Sequence, residues 1–227
     1  FLYLNRFFLY LQRQKLTAMK KSLLIIAGLI IAGFASTARD YDVVNENANA
    51  VDAIYKLEGN GDVSLLKGKT VAFAIDFDEA QIVEFDNDYR TVLRNFGSVD
   101  KFNKDHGEDY VRDWPGDVMN MSVNACKALK GALGANFEVV REGIEDEADY
   151  LMVVRVGLFE FGHFVAVAGA KSGGTITKGL VEIYDTDDNL VALYDINYLR
   201  GLNIGYGNSD RLRLWGKQFA KELKKAK

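Results

Sequence analysis

The sequence predicts an α/β protein of the α+β type, in which one mixed β-sheet of about five strands is packed by two main helices as a two-layer sandwich. Three stretches of the 227-residue chain indicate this class. Residues 148–162, with the sequence ADYLMVVRVGLFEFG, are rich in valine and aromatics and favour an interior strand. Residues 118–132 and 212–223 repeat apolar side chains every three or four positions, which predicts two helices that each bury one side.

The first 38 residues are expected to lie outside the folded domain. Residues 19–38 begin with Met-Lys-Lys, continue with an apolar run and end in small residues, which is the pattern of a cleaved signal peptide. Residues 1–18 precede that methionine and are interpreted as an upstream extension that is not folded. Residues 39–227 are then expected to form a single α/β domain.

A cleaved signal predicts a periplasmic or secreted protein. The apolar run of the leader is shorter than the roughly 20 residues that span a bilayer, so we expect no stable membrane span after cleavage. The one cysteine, Cys126, lies far from the leader and cannot carry a lipid anchor there. Apolar residues surround Cys126 at helical spacing, which predicts a buried position in a helix.

The charge balance excludes two classes of partner. The chain has 28 Lys and Arg residues and 32 Asp and Glu residues. Five of the bases and none of the acids lie in residues 1–38, so the remainder has 23 bases and a net charge near −9. A surface this acidic repels nucleic acid and anionic lipid headgroups.

The chain before residue 114 shows the weaker patterns. Apolar residues at helical spacing predict a helix over residues 49–57, which a Gly-Asn-Gly turn ends. Residues 62–66 are interpreted as a short edge strand, and residues 70–78 (TVAFAIDFD) as the first well-defined strand. The segment 79–113 has little regularity, but residues 88–96 have an apolar side that predicts a short helix.

The patterns after residue 114 are clearer. They predict a long helix from Trp114 to Gly131 or Gly134, followed by a strand at 137–140 and the interior strand. A glycine-rich mobile connection at 164–174 is then expected to lead into a hairpin of 175–184 and 190–199 around the turn 185–189. A last helix is predicted to begin at Ser209 or Asp210. Pro115 fits the start of the long helix, because its missing N–H would have no partner there.

No motif for catalysis or cofactor binding is complete. Residues 169–172 contain a lysine and a serine but lack the glycines of a phosphate-binding loop. Residues 64–67 match the S-x-x-K of penicillin-recognising enzymes, yet neither S-D-N nor K-T-G follows them. Residues 185–189 lack the glycine and the distal glutamate of a calcium loop, so we interpret them as a hairpin turn. We therefore expect no enzymatic activity and no cofactor.

Five side chains remain as candidates for a ligand or interface site. Arg155 lies inside the interior strand, where a charge needs a partner or a sheet face open to water. His106 precedes acidic residues that offer metal ligands, but their spacing fits no regular set and no metal is expected. Trp114, Tyr110 and Tyr206 would form a sugar- or protein-binding patch if they were exposed together. The alternatives are structural: an ion pair for Arg155, a solvated acidic loop around His106, and core packing for Trp114.

Several segments, taken in order, match a group of small secreted proteins of envelope-bearing bacteria. They are Leu66–Lys69 followed by TVAFAID, Trp114 before the long helix, ADYLMVVRV closed by Gly162, and GYGNSDRLRLWGKQFAKEL near the end. On these segments the chain resembles uncharacterised secreted or periplasmic bacterial α/β proteins, a domain of unknown function, over residues 62–225. The element order is also loosely similar to the amino-terminal domain of TolB-type and curli-assembly-type envelope proteins. This resemblance implies a partner-binding domain at the periplasmic side of the outer membrane and supplies no catalytic residue.

Three hypotheses about function follow. The first is an exported, non-enzymatic partner-binding module of the bacterial cell envelope, whose partner is an envelope protein or a second copy of the chain. The second is a protein that binds a glycan or small ligand through Tyr110, Trp114 and Tyr206. The third is a metal-dependent hydrolase that uses His106 and the acidic residues beside it.

Overall fold

The structure is a computed structural model that describes residues 53–85, 92–106, 114–141, 143–144, 147–161, 175–200 and 208–226. The predictions for the upstream extension, the signal peptide and the mobile connection at 164–174 lie outside the described residues. Within the described ranges, no helix is both long enough and apolar enough to cross a membrane.

The described part of the chain confirms the α+β class. It contains the strands β1 (Ala53–Glu58), β2 (Thr70–Asp76), β3 (Gln81–Phe85), β4 (Val92–Asn95), β5 (Asn136–Val139), β6 (Tyr150–Glu160), β7 (Ile176–Asp185) and β8 (Leu190–Arg200), and the helices α1 (Val99–His106), α2 (Trp114–Leu133) and α3 (Asn208–Lys225). The sheet of eight strands is therefore larger than the predicted sheet of about five.

The strands join in the order β1-β8-β7-β6-β2-β5, and β3 pairs with both β6 and β4. The β2 strand runs parallel to β5 and β6, whereas β6, β7, β8 and β1 pair antiparallel in succession. The sheet is thus mixed, as predicted.

Strand β6 is the interior strand that its valine-rich sequence predicts. One edge of β6 pairs with β7 along nearly its whole length. The other edge pairs first with β2, from Tyr150 to Arg155, and then with β3, at Leu158 and Phe159. Met152, Val154 and Val156 of this strand are buried in the core cluster that also contains Met121 of α2 and Trp215 of α3.

Helices α2 and α3 cover one face of the sheet. The indole of Trp215 stacks on the ring of Phe219, with centroids 5.1 Å apart, and its Nε1–H donates to the Thr177 hydroxyl over 2.9 Å. Phe219 also lies 6.3 Å from Phe73 of β2. Trp215 and Phe219 are fully buried, and burial of a large apolar side chain contributes about 1.5–3 kcal/mol to stability.

Three of the predicted elements are wrong. The part of the predicted helix 49–57 that the structure describes is the strand β1, because β8 supplies an antiparallel partner and Ile54 then points into the core. Residues 63–66 form a 3₁₀ helix rather than an edge strand, since the Asp62 carboxylate accepts the Ser64 backbone N–H and caps the turn. The predicted helix at 88–96 contains the strand β4, which pairs with β3.

Strand β3 and helix α1 lie in the segment 79–113 and were not predicted, whereas the remaining described elements agree with the predictions. Strands β2 and β5, the β7–β8 hairpin and helices α2 and α3 lie where their patterns placed them, and Cys126 is buried in α2. The turn between β7 and β8 is held by the Asp185 carboxylate, which accepts the backbone N–H groups of Asp187 and Asn189. This is a self-contained hairpin turn.

Candidate functional site

The face of the sheet opposite α2 and α3 includes ten partly or fully exposed side chains from four adjacent strands. We call this set the open face: Ala74 and Asp76 of β2, Leu151, Val153 and Arg155 of β6, Leu180, Glu182 and Tyr184 of β7, and Leu193 and Asp195 of β8. The residues that alternate with them on the same strands are buried under the helices. Strand periodicity therefore places all ten on one surface.

Strand register sets the arrangement of the open face. Val153 lies between Ala74 and Glu182 in adjacent strands, and Glu182 lies opposite Leu193. The next row runs from Asp76 through Arg155 and Leu180 to Asp195. Polar side chains thus cross the face diagonally between aliphatic ones.

Arg155 is held at the centre of the open face by two carboxylates. Its Nε donates to Glu182 Oε2 over 2.7 Å, and its Nη1 donates to Asp76 Oδ2 over 2.8 Å. The Tyr184 hydroxyl donates to the same Glu182 oxygen over 3.0 Å. The Arg155 side chain is nevertheless 50% exposed, against 14% for Glu182. Arg155 therefore shows both features that were expected for a charge in this strand, because it is ion-paired and it lies on a sheet face that is open to water.

The protonation states of this cluster follow from its packing. Burial by itself lowers the pKa of Arg155, but the carboxylates of Glu182 and Asp76 outweigh that effect and raise it. Burial raises the pKa of Tyr184 to about 12, and the nearby Glu182 charge acts in the same direction. At neutral pH the guanidinium is charged and the phenol keeps its proton. Neither group is prepared for general acid–base chemistry near pH 7.

Trp114 belongs to an aromatic cluster at one end of the helix-covered core. Its ring meets Phe77 edge-on at a centroid distance of 4.6 Å and Phe161 edge-on at 5.3 Å. Phe159 lies 5.2 Å from Phe77 and is fully buried. Edge-to-face contacts of this kind stabilise a core. The described contacts of Trp114 therefore agree with the structural alternative, in which this side chain packs in the core.

The side chains of the remaining candidates lie outside the described residues. Tyr110 and Tyr206 lie outside the described residues, and His106 is the last residue of α1, with its side chain outside the described part. Over the ranges that the structure covers, no group of three His, Cys, Asp or Glu side chains is placed to hold a metal ion. The predicted patch of Tyr110, Trp114 and Tyr206 stays a prediction.

The sequence alone does not identify the residues that pair with Arg155. Asp76 is 79 positions from Arg155 and Glu182 is 27 positions away, so only the pairing of β6 with β2 and β7 brings them together. A usable signal was present, because Asp76 and Glu182 each stand at an alternating polar position of a strand.

Comparison with known proteins does not place the chain in a family. No protein-family model matches it, and no curated protein matches it. Among solved structures it is similar to the PelC dodecamer from Paraburkholderia phytofirmans, at 12% identity and a TM-score of 0.42, over 77% of this chain and 98% of that one. A point variant of that dodecamer gives 11% identity and a TM-score of 0.39, over 75% and 98% of the two chains. Similarity at this level does not indicate a function for the chain.

Proposed function

We propose that the chain is an exported, non-enzymatic partner-binding module of the bacterial cell envelope, and that its partner is a protein that docks on the open face. The observation that carries this proposal is the composition of that face. Five of its ten side chains are aliphatic, and all five are partly exposed. A sheet with one face in water usually carries polar residues there, whereas a mixed apolar surface with a few fixed polar groups is typical of a binding site.

The Arg155 cluster supports binding through its rigidity. Two carboxylates fix the guanidinium before any partner arrives. A side chain that is already ordered loses less conformational entropy on association, which is a cost of about 0.5–1.5 kcal/mol for each side chain that must be immobilised. The open face therefore presents its polar centre in one arrangement.

Export is the second half of the proposal, and it rests on the leader pattern in residues 19–38. The acidic balance of the chain beyond residue 38 agrees with a partner that is neither nucleic acid nor an anionic membrane. The resemblance to periplasmic partner-binding domains points the same way.

Position-specific cross-linking in cells tests the proposal. A photo-reactive amino acid replaces Leu180 on the open face in the full chain with its own leader. In a matched control the same amino acid replaces Leu93, which is 65% exposed on β4 and lies outside the open face. We expect one discrete protein adduct from position 180, found in the envelope fraction, and none from position 93.

Two results would reject the proposal. Absence of an adduct at position 180, or equal adducts at both positions, contradicts docking on the open face. Recovery of the protein from the cytosol, with its leader intact, contradicts export. Mass spectrometry of the adduct and of the chain's first residue separates these outcomes.

A further inference from the structure

Strand β1 forms an edge of the sheet. Among the described strands it pairs with β8 alone, so no other strand of the described part of the chain lies along its second side. A strand edge carries backbone N–H and C=O groups that a further strand can pair with. Proteins usually shield such an edge by keeping the strand short or by placing charges on it.

The edges formed by β4 and β5 are shielded in this way. Both strands have only four residues. On β5 the amide of Asn136 donates to the carboxylate of Glu138, and Arg141 pairs with that same carboxylate. On β4 the side chain of Arg94 forms an ion pair with Asp105. Short strands with fixed charges disfavour pairing with another sheet.

Strand β1 instead exposes apolar side chains. It has six residues and no proline, and Tyr55 and Leu57 are 54% and 45% exposed. Six large apolar side chains are exposed in the described part of the chain, and two more of them adjoin β1: Leu65 in the 3₁₀ helix that follows it, and Leu190 at the start of its partner strand β8. Four of the six therefore lie on β1 or on the two segments next to it. Exposed apolar side chains that cluster in this way mark an interaction surface.

The register of β1 indicates which strand fits beside it. The run Ile54–Lys56 pairs with β8 without interruption and is centred on Tyr55. When a second copy of β1 lies antiparallel to this run, across a two-fold axis at residue 55, Tyr55 faces its own counterpart and Ile54 faces Lys56 on either side. Aromatic pairs are favourable between adjacent strands, and no like charges face each other in this run. A two-fold axis at the next residue would place Lys56 opposite Lys56, which that repulsion disfavours.

The same pairing ends at two copies. Each copy has one edge of this apolar kind, and a two-fold axis uses both of them at once, so the assembly is closed. The shielded edges of β4 and β5 do not extend it. An antiparallel neighbour also continues the pattern in which β6, β7, β8 and β1 pair antiparallel in succession.

We infer that two copies of the chain associate through β1, edge to edge and antiparallel, and form one continuous sheet. This inference goes beyond the proposed function, because the contact is the edge of the sheet and the open face stays available. The two-fold axis is perpendicular to the sheet, so the open faces of both copies lie on the same side of it. A partner with two docking segments then gains avidity without any new kind of contact.

A disulfide trap tests the geometry of this pair. Residues that face each other in an antiparallel pair have Cα atoms about 4.5–5.5 Å apart, within the range of roughly 4.4–6.8 Å that a disulfide spans. Tyr55→Cys in the full chain should therefore give a covalent dimer under mild oxidation on a non-reducing gel. Leu93→Cys, at an apolar position of β4 that is more exposed than Tyr55, is the matched control and should stay monomeric. The native Cys126 is buried in α2, so the unmodified chain should give no covalent dimer.

Sedimentation equilibrium measures the reversible association. We expect the unmodified full chain to form a dimer whose share of the protein rises over a concentration series. Tyr55→Lys removes the aromatic pair and places like charges at the two-fold axis, so it should weaken the dimer by about tenfold or more. Leu93→Lys should leave the dimer Kd unchanged. Circular dichroism confirms that each variant is folded.

The results separate edge pairing from other modes of association. A covalent dimer from position 55, together with a reversible dimer that Tyr55→Lys weakens, supports the inference. A chain that stays monomeric and gives no trapped dimer overturns it, and so does a dimer trapped equally from position 93. Dissociation by Leu180→Ala but not by Tyr55→Lys would assign the contact to the open face instead. Slow amide exchange along β1 in a strictly monomeric chain would assign the edge to the chain's own preceding residues.

The cross-linking result at position 180 is independent of this test. Leu180 lies on β7, and the adduct expected from it does not require β1 to pair. The proposed function can therefore hold when edge pairing fails, and edge pairing can hold when no partner docks on the open face.

Discussion

Substitution of Gly216 tests the close packing of α2 against α3. A Cβ atom at this position would lie 2.7 Å from the backbone N and 2.8 Å from the Cα of Ala125, and 3.0 Å from the carbonyl carbon of Asn124. All three atoms are backbone, so no side-chain rotation relieves the clash and the helices must move apart. Overpacking of this kind costs about 1–3 kcal/mol.

The magnitude follows from two opposing effects. Alanine in place of a helical glycine gains about 1 kcal/mol of helix propensity, which offsets part of the clash. Gly216→Ala is therefore expected to lower the free energy of unfolding by up to about 2 kcal/mol, or Tm by up to about 8 °C. Gly131→Ala in α2 is the matched control, because no atom lies within 4 Å of its Cβ. It should raise the free energy of unfolding by about 0.5–1 kcal/mol.

Urea unfolding followed by tryptophan fluorescence measures both changes, since Trp215 is fully buried beside Gly216. Opposite signs for the two substitutions support the packing described here. If Gly216→Ala stabilises the protein as much as Gly131→Ala does, α2 and α3 do not approach as closely as the structure places them.

Three further predictions concern single residues. Gly179→Ala should lower the free energy of unfolding by roughly 2 kcal/mol or more in a urea titration, because its Cβ would lie 2.1 Å from the Arg155 carbonyl oxygen on β6; a neutral effect would contradict the strand register. The Cys126 thiol, whose pKa burial raises to about 12, should not react with Ellman's reagent at pH 8 until the protein unfolds, and a fast native reaction would show that it is accessible. Burial and Glu182 raise the pKa of Tyr184 from 10 to about 12, so the phenol keeps its proton in the folded protein. The stability that this group contributes is therefore fully present below pH 10 and is lost as the pH rises to 12. Tyr184→Phe should remove this component of the pH–stability curve, and an unchanged curve would refute the assignment.

The long elements of the fold could be predicted because their patterns repeat several times. Strand β6 has four consecutive apolar residues between Tyr150 and Arg155, which indicate an interior strand; Met152 and Val154 are buried in the core, whereas Leu151 and Val153 lie on the open face. Helix α2 repeats its apolar residues over 20 positions, and proline marks its start.

The short elements could not be predicted, because tertiary partners decide them. Strand β1 has six residues, and the spacing of Ile54 and Tyr55 fits a helix as well as an edge strand. Its pairing with β8, more than 130 positions away, settles the choice. Strand β4 has four residues and leaves Leu93 exposed, so its apolar pattern carries no period of its own.

The candidate site could likewise be predicted only in part. A charged Arg155 among valines stands out in the sequence and predicts either an ion pair or an open face. The identity of its partners requires the order of strands in the sheet, which no local pattern contains. The sequence also does not distinguish the aliphatic residues of the open face from core residues, because the two sets alternate on each strand and are of the same type.

Methyl NMR spectroscopy of the full chain, during titration with the partner protein that cross-linking from position 180 identifies, tests the role of the open face most directly. The account predicts that the methyl signals of Val153, Leu180 and Leu193 shift together and saturate at one equivalent, while those of Leu93 stay in place. Shifts confined to Leu93, or spread without preference over both faces of the sheet, would contradict it.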